Sequence, residues 1–429
     1  MIVLIADSDL PPGIIRWLSC YLRGRQARCQ FRGATSSCRT VRDYAYVGDI
    51  PTPPPNIKVF SYADDFSLLT RGTDIGAMSR RLKEYLSELA SFFTSRDLLI
   101  SVPKSSVTLI TPATSEAKIH PQVILNEALI PLNKTPKVLG VTFDTMLSFA
   151  NHAGDVARRT KQRNSVLRAL SGTNWGHDKE TLLLTYKALA RPILDYASPV
   201  WSHAVSKTQH AKLQRAQNEA LRIATGCHSM ASQDHLHQET ELLPVADHHA
   251  LLTAGFLVQS ECDHHPCHDL LDHDPSVRKN RKSTIPLAAG PRVSNIPPSC
   301  RQKKKRLAAL HEAVVRETVR KLAVNRVTSS RPPPPHPSEK QLNRRTRRHL
   351  AQLRSGHCHL LRQYQARIDE EISPLCRFCG LEEEDVAHTF ICPALPPRSS
   401  RHTSLWLAPA AAATDILHFG VGAEDRDPP

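Results

Sequence analysis

Asn56-Ile-Lys-Val-Phe-Ser-Tyr-Ala-Asp-Asp-Phe-Ser-Leu-Leu-Thr70 is the stretch from which the rest of the chain is read. Val59, Phe60, Tyr62 and Phe66 are β-branched or aromatic, so the arms on either side of Asp64-Asp65 favour strand. The pattern predicts a hairpin with two adjacent carboxylates at its tip. Side chains alternate along a strand, so Asp64 and Asp65 are expected to point in different directions. One can hold a metal while the other orients the turn or reaches a second ion. A bare Asp-Asp is commonly a solvated turn; the full string between two apolar arms argues for chemistry. Paired carboxylates suit phosphoryl transfer, in which two divalent ions about 4 Å apart activate an attacking 3′-oxygen and stabilise the leaving pyrophosphate. Mg²⁺ takes carboxylate oxygens and keeps several waters, so a few aspartates plus substrate phosphates suffice.

The segments after the hairpin extend this picture. Residues 74–100 predict one amphipathic helix beneath it, because Leu82, Tyr85, Leu86, Leu89, Phe92 and Phe93 recur at three- and four-residue spacings. Residues 98–111 predict a turn and a strand that carry Lys104. A lysine over such a site can protonate the leaving pyrophosphate or pair with a triphosphate. Lys137-Val-Leu-Gly-Val-Thr-Phe-Asp144 predicts another strand, with a glycine that permits close backbone approach. Residues 151–226 predict a small helical bundle with basic flanks. Its stripes are Leu182, Leu183, Tyr186, Leu189 and Ile193, then Leu213, Ala216, Gln217, Ala220, Leu221 and Ala224. Ahead of the hairpin, residues 10–22 predict a short helix begun by prolines, and residues 27–41 a strand pair.

Composition bounds the partners. The chain has 429 residues and a formal net charge of +15, with 40% hydrophobic residues. It can bury a core, and the charge points to a polyanionic partner, because Lys and Arg gain affinity by releasing counterions from phosphates. No apolar run reaches the ~18 residues of a membrane span. The apolar opening lacks the basic start of a signal peptide. The 11 cysteines are scattered apart from a C-terminal group, which favours a reduced, metal-binding setting over a disulfide framework.

In the C-terminal half, residues 261–275 hold Cys262, His264, His265, Cys267, His268 and His273 in spacings that match no ordinary zinc pattern, and predict a polar linker. Lys303-Lys-Lys-Arg306 is a short basic run, residues 307–324 predict a helix, and Arg331-Pro-Pro-Pro-Pro-His-Pro337 an extended linker. A basic patch, Arg344-Arg-Thr-Arg-Arg348, opens a helix that reaches Leu361. The second informative motif is Cys376-Arg-Phe-Cys379, followed by His388 and Cys392. A Cys-x-x-Cys turn presents two thiolates to one ion, and a His and a Cys on a following helix complete a tetrahedron.

Tyr62-Ala-Asp-Asp65, then Lys104-Ser105, then Leu139-Gly-Val-Thr-Phe-Asp144 resemble, in order and spacing, three successive palm motifs of a non-LTR retrotransposon reverse transcriptase of the jockey-like group. Ala190-Arg-Pro-Ile-Leu-Asp-Tyr-Ala-Ser-Pro-Val-Trp201 and Lys212-Leu-Gln-Arg-Ala-Gln-Asn218 are similar to the region after the palm. Leu353-Arg-Ser-Gly-His-Cys-His-Leu-Leu361 and the Cys/His segment resemble the family's tail. The likeness spans roughly residues 10–260 and returns at the C-terminus.

The resemblance implies an α+β fold. A partial right-hand polymerase palm (1–150) is followed by a helical thumb (151–260), a His-rich, basic and Pro-rich linker with one helix (261–340), a basic helix with a zinc-knuckle-like segment (341–395) and a loosely ordered tail (396–429). It implies an RNA-directed DNA polymerase with Asp64 and Asp65 as catalytic Mg²⁺ (or Mn²⁺) ligands and Lys104 on the pyrophosphate side. Tyr62 would contact substrate, and Leu139 and Gly140 would sit in a primer-grip hairpin. Cys376, Cys379, His388 and Cys392 would hold Zn²⁺. The partners implied are template RNA, primer DNA and deoxynucleotides, with no membrane; family logic and the basic run point to the nucleus.

Two departures stand out. The family's further metal-binding Asp belongs to an earlier strand, and the residues before the 11–22 helix are too few to carry that motif; Asp7 or Asp9 as a replacement is disfavoured. The family's Pro-Gln-Gly-x-x-x-Ser-Pro segment, which shapes the nucleotide pocket, is replaced by Arg39-Thr-Val-Arg-Asp-Tyr-Ala-Tyr-Val-Gly48. The expectation is a truncated or internally deleted copy without polymerase activity; the alternative is a non-catalytic nucleic-acid-binding remnant that uses the basic thumb and the zinc segment.

Overall fold

A computed structural model describes residues 26–27, 30–31, 34–35, 39–40, 50–62, 65–111, 113–172, 176–260, 303–334, 336–395 and 401–416. The helix expected over 10–22, Asp7, Asp9, Asp64 and the His-rich stretch 261–275 lie outside these residues. Helix and sheet are mixed, and the chain divides into two compact units. One comprises Met1–Lys137 with Asp144–Met146, the other Val138–Phe143 with Leu147–Pro429.

In the first unit, two short antiparallel pairings join Gln26–Ala27 to Arg39–Thr40 and Gln30–Phe31 to Ala34–Thr35. Strand β1 (Ile57–Tyr62) pairs antiparallel with β2 (Asp65–Thr70), from Ile57 opposite Thr70 to Tyr62 opposite Asp65. Alternation sends Ile57, Val59, Phe66 and Leu68 toward helix α1 (Ile75–Thr94), where they meet Tyr85, Leu89 and Phe93. Asp74 starts α1 by accepting the Gly76 N–H at 2.8 Å. The Tyr85 hydroxyl donates to the Pro51 carbonyl at 2.7 Å and fixes the approach to β1. A second stripe of α1, Leu82, Leu86 and Ala90, packs on Val123, Leu125 and Ile130. One helix thus serves two small cores.

Several details differ from the sequence expectations; the helix expected to run from Arg344 to Leu361, for one, ends at Arg354. The turn expected within 98–111 is a 3-10 turn, Val102–Lys104, but the strand expected after it does not form. Pro103 cannot donate to a ladder, and the chain regains one bridge, Val107 to Leu132. The single strand expected over 137–144 folds back on itself: β5 (Lys137–Val138) pairs with β6 (Val141–Thr142). Leu139 and Gly140 between them have φ of 45° and 84°, the backbone of a tight two-residue hairpin. The hairpin before it, β3 (Ile124–Leu125) with β4 (Ala128–Leu129), turns in the same way through Asn126 and Glu127, both at positive φ.

The second unit is helical. Helices α2 (Ala150–Leu170), α3 (Lys179–Leu189), α4 (Arg191–Asp195), α5 (Ser198–Trp201), α6 (Lys207–Thr225), α7 (Gln233–Thr240) and α8 (Val245–Ser260) enclose a core of Leu167, Leu182, Tyr186, Leu194, Trp201, Leu213, Leu221 and Leu236. The stripe Leu213 to Ala224 is buried throughout; Leu189 is exposed because α3 ends there and the chain turns into α4. Asp178 and Ser206 cap α3 and α6, and Gly226, at φ 74°, stops α6.

Later segments join this unit. Helix α9 (Lys303–Lys321) packs on α8. Helix α10 (Arg344–Arg354) brings Ala351 into the main core and Leu350 and Leu353 into a second one. That second core also holds Val386, Phe390 of α12 (His388–Ile391) and Trp406 of α13 (Ser404–Leu407). The short helix α11 (Arg362–Gln365) lies between α10 and α12 in the chain, and α14 (Pro409–Ile416) follows α13.

Candidate functional site

Asp65 opens β2, exposed to solvent and opposite Tyr62 in the register. Lys104 ends its 3-10 turn, also exposed. Both belong to the first unit, and no hydrogen bond or ion pair joins them among the described residues. Leu139 and Gly140 form the exposed tip of the β5–β6 hairpin, in the second unit. That tip is anchored. The Tyr196 hydroxyl donates to the Leu139 carbonyl at 2.7 Å. The Tyr196 ring lies so close to Gly140 that a Cβ there would sit 3.2 Å from Cε1. The Tyr196 carbonyl in turn accepts from Trp201 Nε1 at 2.9 Å, and Trp201 is fully buried between His152 and His249. On the other side His152 Nδ1 accepts the Thr142 N–H at 3.3 Å. Tyr196 and His152 were not among the residues singled out from sequence; a long-range contact to a two-residue turn leaves no periodic trace.

The C-terminal cysteines and histidine converge. The ligand atoms of Cys376, Cys379, His388 and Cys392 all lie within 4.8 Å of one another. Cys376 and Cys392 Sγ are 3.7 Å apart, and Cys379 Sγ is 3.3 Å from His388 Nε2. Zinc–sulfur bonds of about 2.3 Å at tetrahedral angles put two thiolates roughly 3.8 Å apart. The set therefore fits zinc in donor chemistry and in span. Its support is built in. Cys376 N–H donates to Glu382 O at 2.7 Å and Gly380 N–H to Cys376 O at 2.8 Å, which closes the turn. Gly380 has a φ of 68°, a conformation that suits glycine. The Leu381 N–H, 3.5 Å from Cys379 Sγ, leads in holding that thiol down at about 7. Glu382 meets His388 Nδ1 at 3.1 Å, the outer contact that turns Nε2 toward an ion. Among the described residues this is the one group of three or more converging metal-ligating side chains.

The second unit sorts its charges into two kinds. Arg158, Arg159, Lys161 and Arg163 on α2, and Lys207, Lys212 and Arg215 on α6, are exposed. The patch at the start of α10 is instead largely consumed inside. Arg344 donates to the carbonyls of Gly172, His177, Ile223 and Ala224, and so caps the last turn of α6. Arg347 pairs with Glu180 and Glu339. Arg354 is fully buried; it lies 2.9 Å from Glu239 and 2.7 Å from Glu339 and donates to the Leu405 carbonyl. Lys179 meets the same two carboxylates at 2.9 Å each.

No family model matches the chain, and no solved structure matches it. Three curated proteins do. A protein described as "Probable RNA-directed DNA polymerase from transposon BS" of Drosophila melanogaster is 25% identical over 250 residues, 54% of this chain and 27% of that protein. The RNA-directed DNA polymerase from mobile element jockey of Drosophila melanogaster is 25% identical over 188 residues, 42% of this chain and 20% of its own length. The jockey polymerase of Drosophila funebris is 24% identical over 241 residues, 52% and 26%. The matches thus cover about half of this chain and about a quarter of each relative.

Proposed function

We infer that this chain, a partial relative of the RNA-directed DNA polymerases of jockey-like non-LTR retrotransposons, is built as a polymerase palm fragment joined to a thumb-like, nucleic-acid-holding unit. The observation that carries this is the hairpin register, Tyr62 opposite Asp65. It sets Asp65 at the start of β2, across from Tyr62, on a hairpin backed by α1. In this reading residues 1–150 correspond to the palm, 151–260 to the thumb, 261–340 to a linker, 341–395 to the basic helix and zinc segment, and 396–429 to a tail.

The residues suit distinct parts of nucleotidyl transfer. Asp64 and Asp65 supply hard oxygen donors for Mg²⁺ or Mn²⁺; the exposed Asp65 carboxylate fits such an ion. When bound, the divalent ions activate the primer 3′-oxygen and stabilise the leaving pyrophosphate. Lys104 is assigned to the triphosphate side, Tyr62 to the incoming nucleotide, and Leu139 and Gly140 to the primer strand. Template RNA, primer DNA and deoxynucleotides are the substrates this implies. Cys376, Cys379, His388 and Cys392 would hold a zinc ion that ties α12 to the turn at 376–380.

The internal replacement at 39–48 removes the pocket-forming segment, so polymerase activity is expected to be absent in this copy. The exposed cations of α2 and α6 support the alternative, a grip on nucleic acid without chemistry. One experiment separates these outcomes: primer extension on an RNA template with the full chain, Mg²⁺ and deoxynucleotides, beside an Asp64→Asn control and a binding assay on the same substrate. Extension that vanishes in the control overturns inactivity. Binding without extension supports a retained grip. Neither binding nor extension removes both.

A further inference from the structure

The zinc segment differs in surface character from the unit that carries it. Each cysteine ligand has a large apolar neighbour turned to solvent. Leu375 precedes Cys376 and is 42% exposed; Phe378 precedes Cys379 at 43%; Leu381 follows it by two residues at 74%; Ile391 precedes Cys392 at 68%. The four ligand atoms lie within 4.8 Å of one another, so these side chains form a collar around one point. Single exposed apolar residues are ordinary, but several gathered at one site mark a contact surface. The inward face is already committed, since Val386 and Phe390 fill the core beneath α10.

Charge identifies what would cover the collar. Residues 367–391 carry seven carboxylates, between Asp369 and Asp385, against Arg367 and Arg377: a formal −5 in a chain of +15. A zinc ion bound by three thiolates and one neutral imidazole contributes a further −1. Arg377 is engaged by Glu384 and by the Leu360 carbonyl. Glu370 and Glu371 are exposed and form no ion pair among the described residues. A phosphate backbone would be repelled here. A polypeptide segment with Lys or Arg and apolar anchors is matched in both respects. We propose that the zinc segment docks a basic, apolar-bearing segment of another protein, while nucleic acid is left to the exposed cations of α2 and α6.

The test uses the full zinc-loaded chain and a fluorescein-labelled peptide of Lys and Leu repeats, read by anisotropy. Two variants are compared with the parent: Phe378→Ser with Leu381→Ser, and Glu370→Lys with Glu371→Lys. Each pair is expected to weaken the peptide by about tenfold or more, with zinc content unchanged by mass spectrometry. The charge-reversal pair lies away from the Cys turn and decides the matter if the apolar pair loses its zinc. Unchanged peptide affinity in the charge-reversal pair overturns the proposal. So does single-stranded RNA binding that is lost in the apolar pair, which would make the collar a base-stacking surface. So does self-association of the parent, seen by sedimentation and abolished in both pairs, which would make a second copy the occupant.

Discussion

Glu239 is sealed from water, with Lys179 at 2.9 Å and Arg354 at 2.9 and 3.1 Å. Burial alone would raise its carboxyl, but Arg354 and then Lys179 outweigh burial and bring it to about 2, from an ordinary 4.5. Its contribution to stability is therefore complete above about pH 4.5 and is lost as pH falls through about 2. Glu239→Gln leaves two buried cations short of a countercharge and should cost roughly 3–5 kcal/mol, measured by urea unfolding at pH 7. A loss below about 1 kcal/mol would mean that water reaches the cluster. His249 acts in a different window. Burial holds it down at about 4, against the pull of Asp195, so the folded state favours the neutral ring. Stability from this residue is full above about 6.5 and declines as pH falls toward 4. His249→Leu should flatten that part of the urea-midpoint profile and leave the lower acid limb in place. None of this was legible in sequence: Lys179, Glu239, Glu339 and Arg354 are far apart in the chain, and each reads locally as one more surface charge.

Elements with a local cause were the legible part of the fold. The β1–β2 hairpin and α1 follow from alternation and a three-to-four spacing. The Cys-x-x-Cys turn with His388 and Cys392 follows from ligand spacing, and the four side chains do converge. The residue pattern across 137–144 suggested one strand, and a hairpin at Leu139 and Gly140 entered only as what the family resemblance implies; β5 and β6 do fold back there. Gly140 permits the turn, and Tyr196 holds it. Gly140→Ala should destabilise by roughly 1–2 kcal/mol, since φ is 84° and the added carbon would lie 3.2 Å from the Tyr196 ring; thermal unfolding measures this. In the zinc segment, Cys392→Ser should abolish bound zinc and open residues 374–392 to protease, because Val386 and Phe390 depend on that closure to reach Leu350 and Trp406. Retained zinc with an unchanged digestion pattern would refute that coupling.

At the scale of the molecule, a net charge of +15 predicted a polyanionic partner but not which cations would meet it. Arg344, Arg347 and Arg354 are spent on helix carbonyls and buried carboxylates. In the proposed grip on nucleic acid, Arg163, Lys212 and Arg215 are exposed cations left for phosphates, and none forms an ion pair among the described residues. Alanine at these three should lower RNA affinity and reduce the slope of log K against log salt by about one unit for each phosphate no longer neutralised. Arg347→Ala should lower the unfolding midpoint and leave the slope unchanged. Filter binding across a salt series, paired with thermal melts, tests both halves; a slope that responds to Arg347 and not to the other three would reverse the assignment.

The cluster that joins Lys179, Glu239, Glu339 and Arg354 also has a consequence for the order in which the protein is made. When α8 has cleared the ribosome, Lys179 and Glu239 are available to the bundle, but Glu339 and Arg354 lie further along the chain and have still to emerge. At ordinary elongation speeds the wait is on the order of ten seconds. During that interval the place beside Glu239 that Arg354 later fills is open to water. A message cut short before codon 339 would leave the gap permanent.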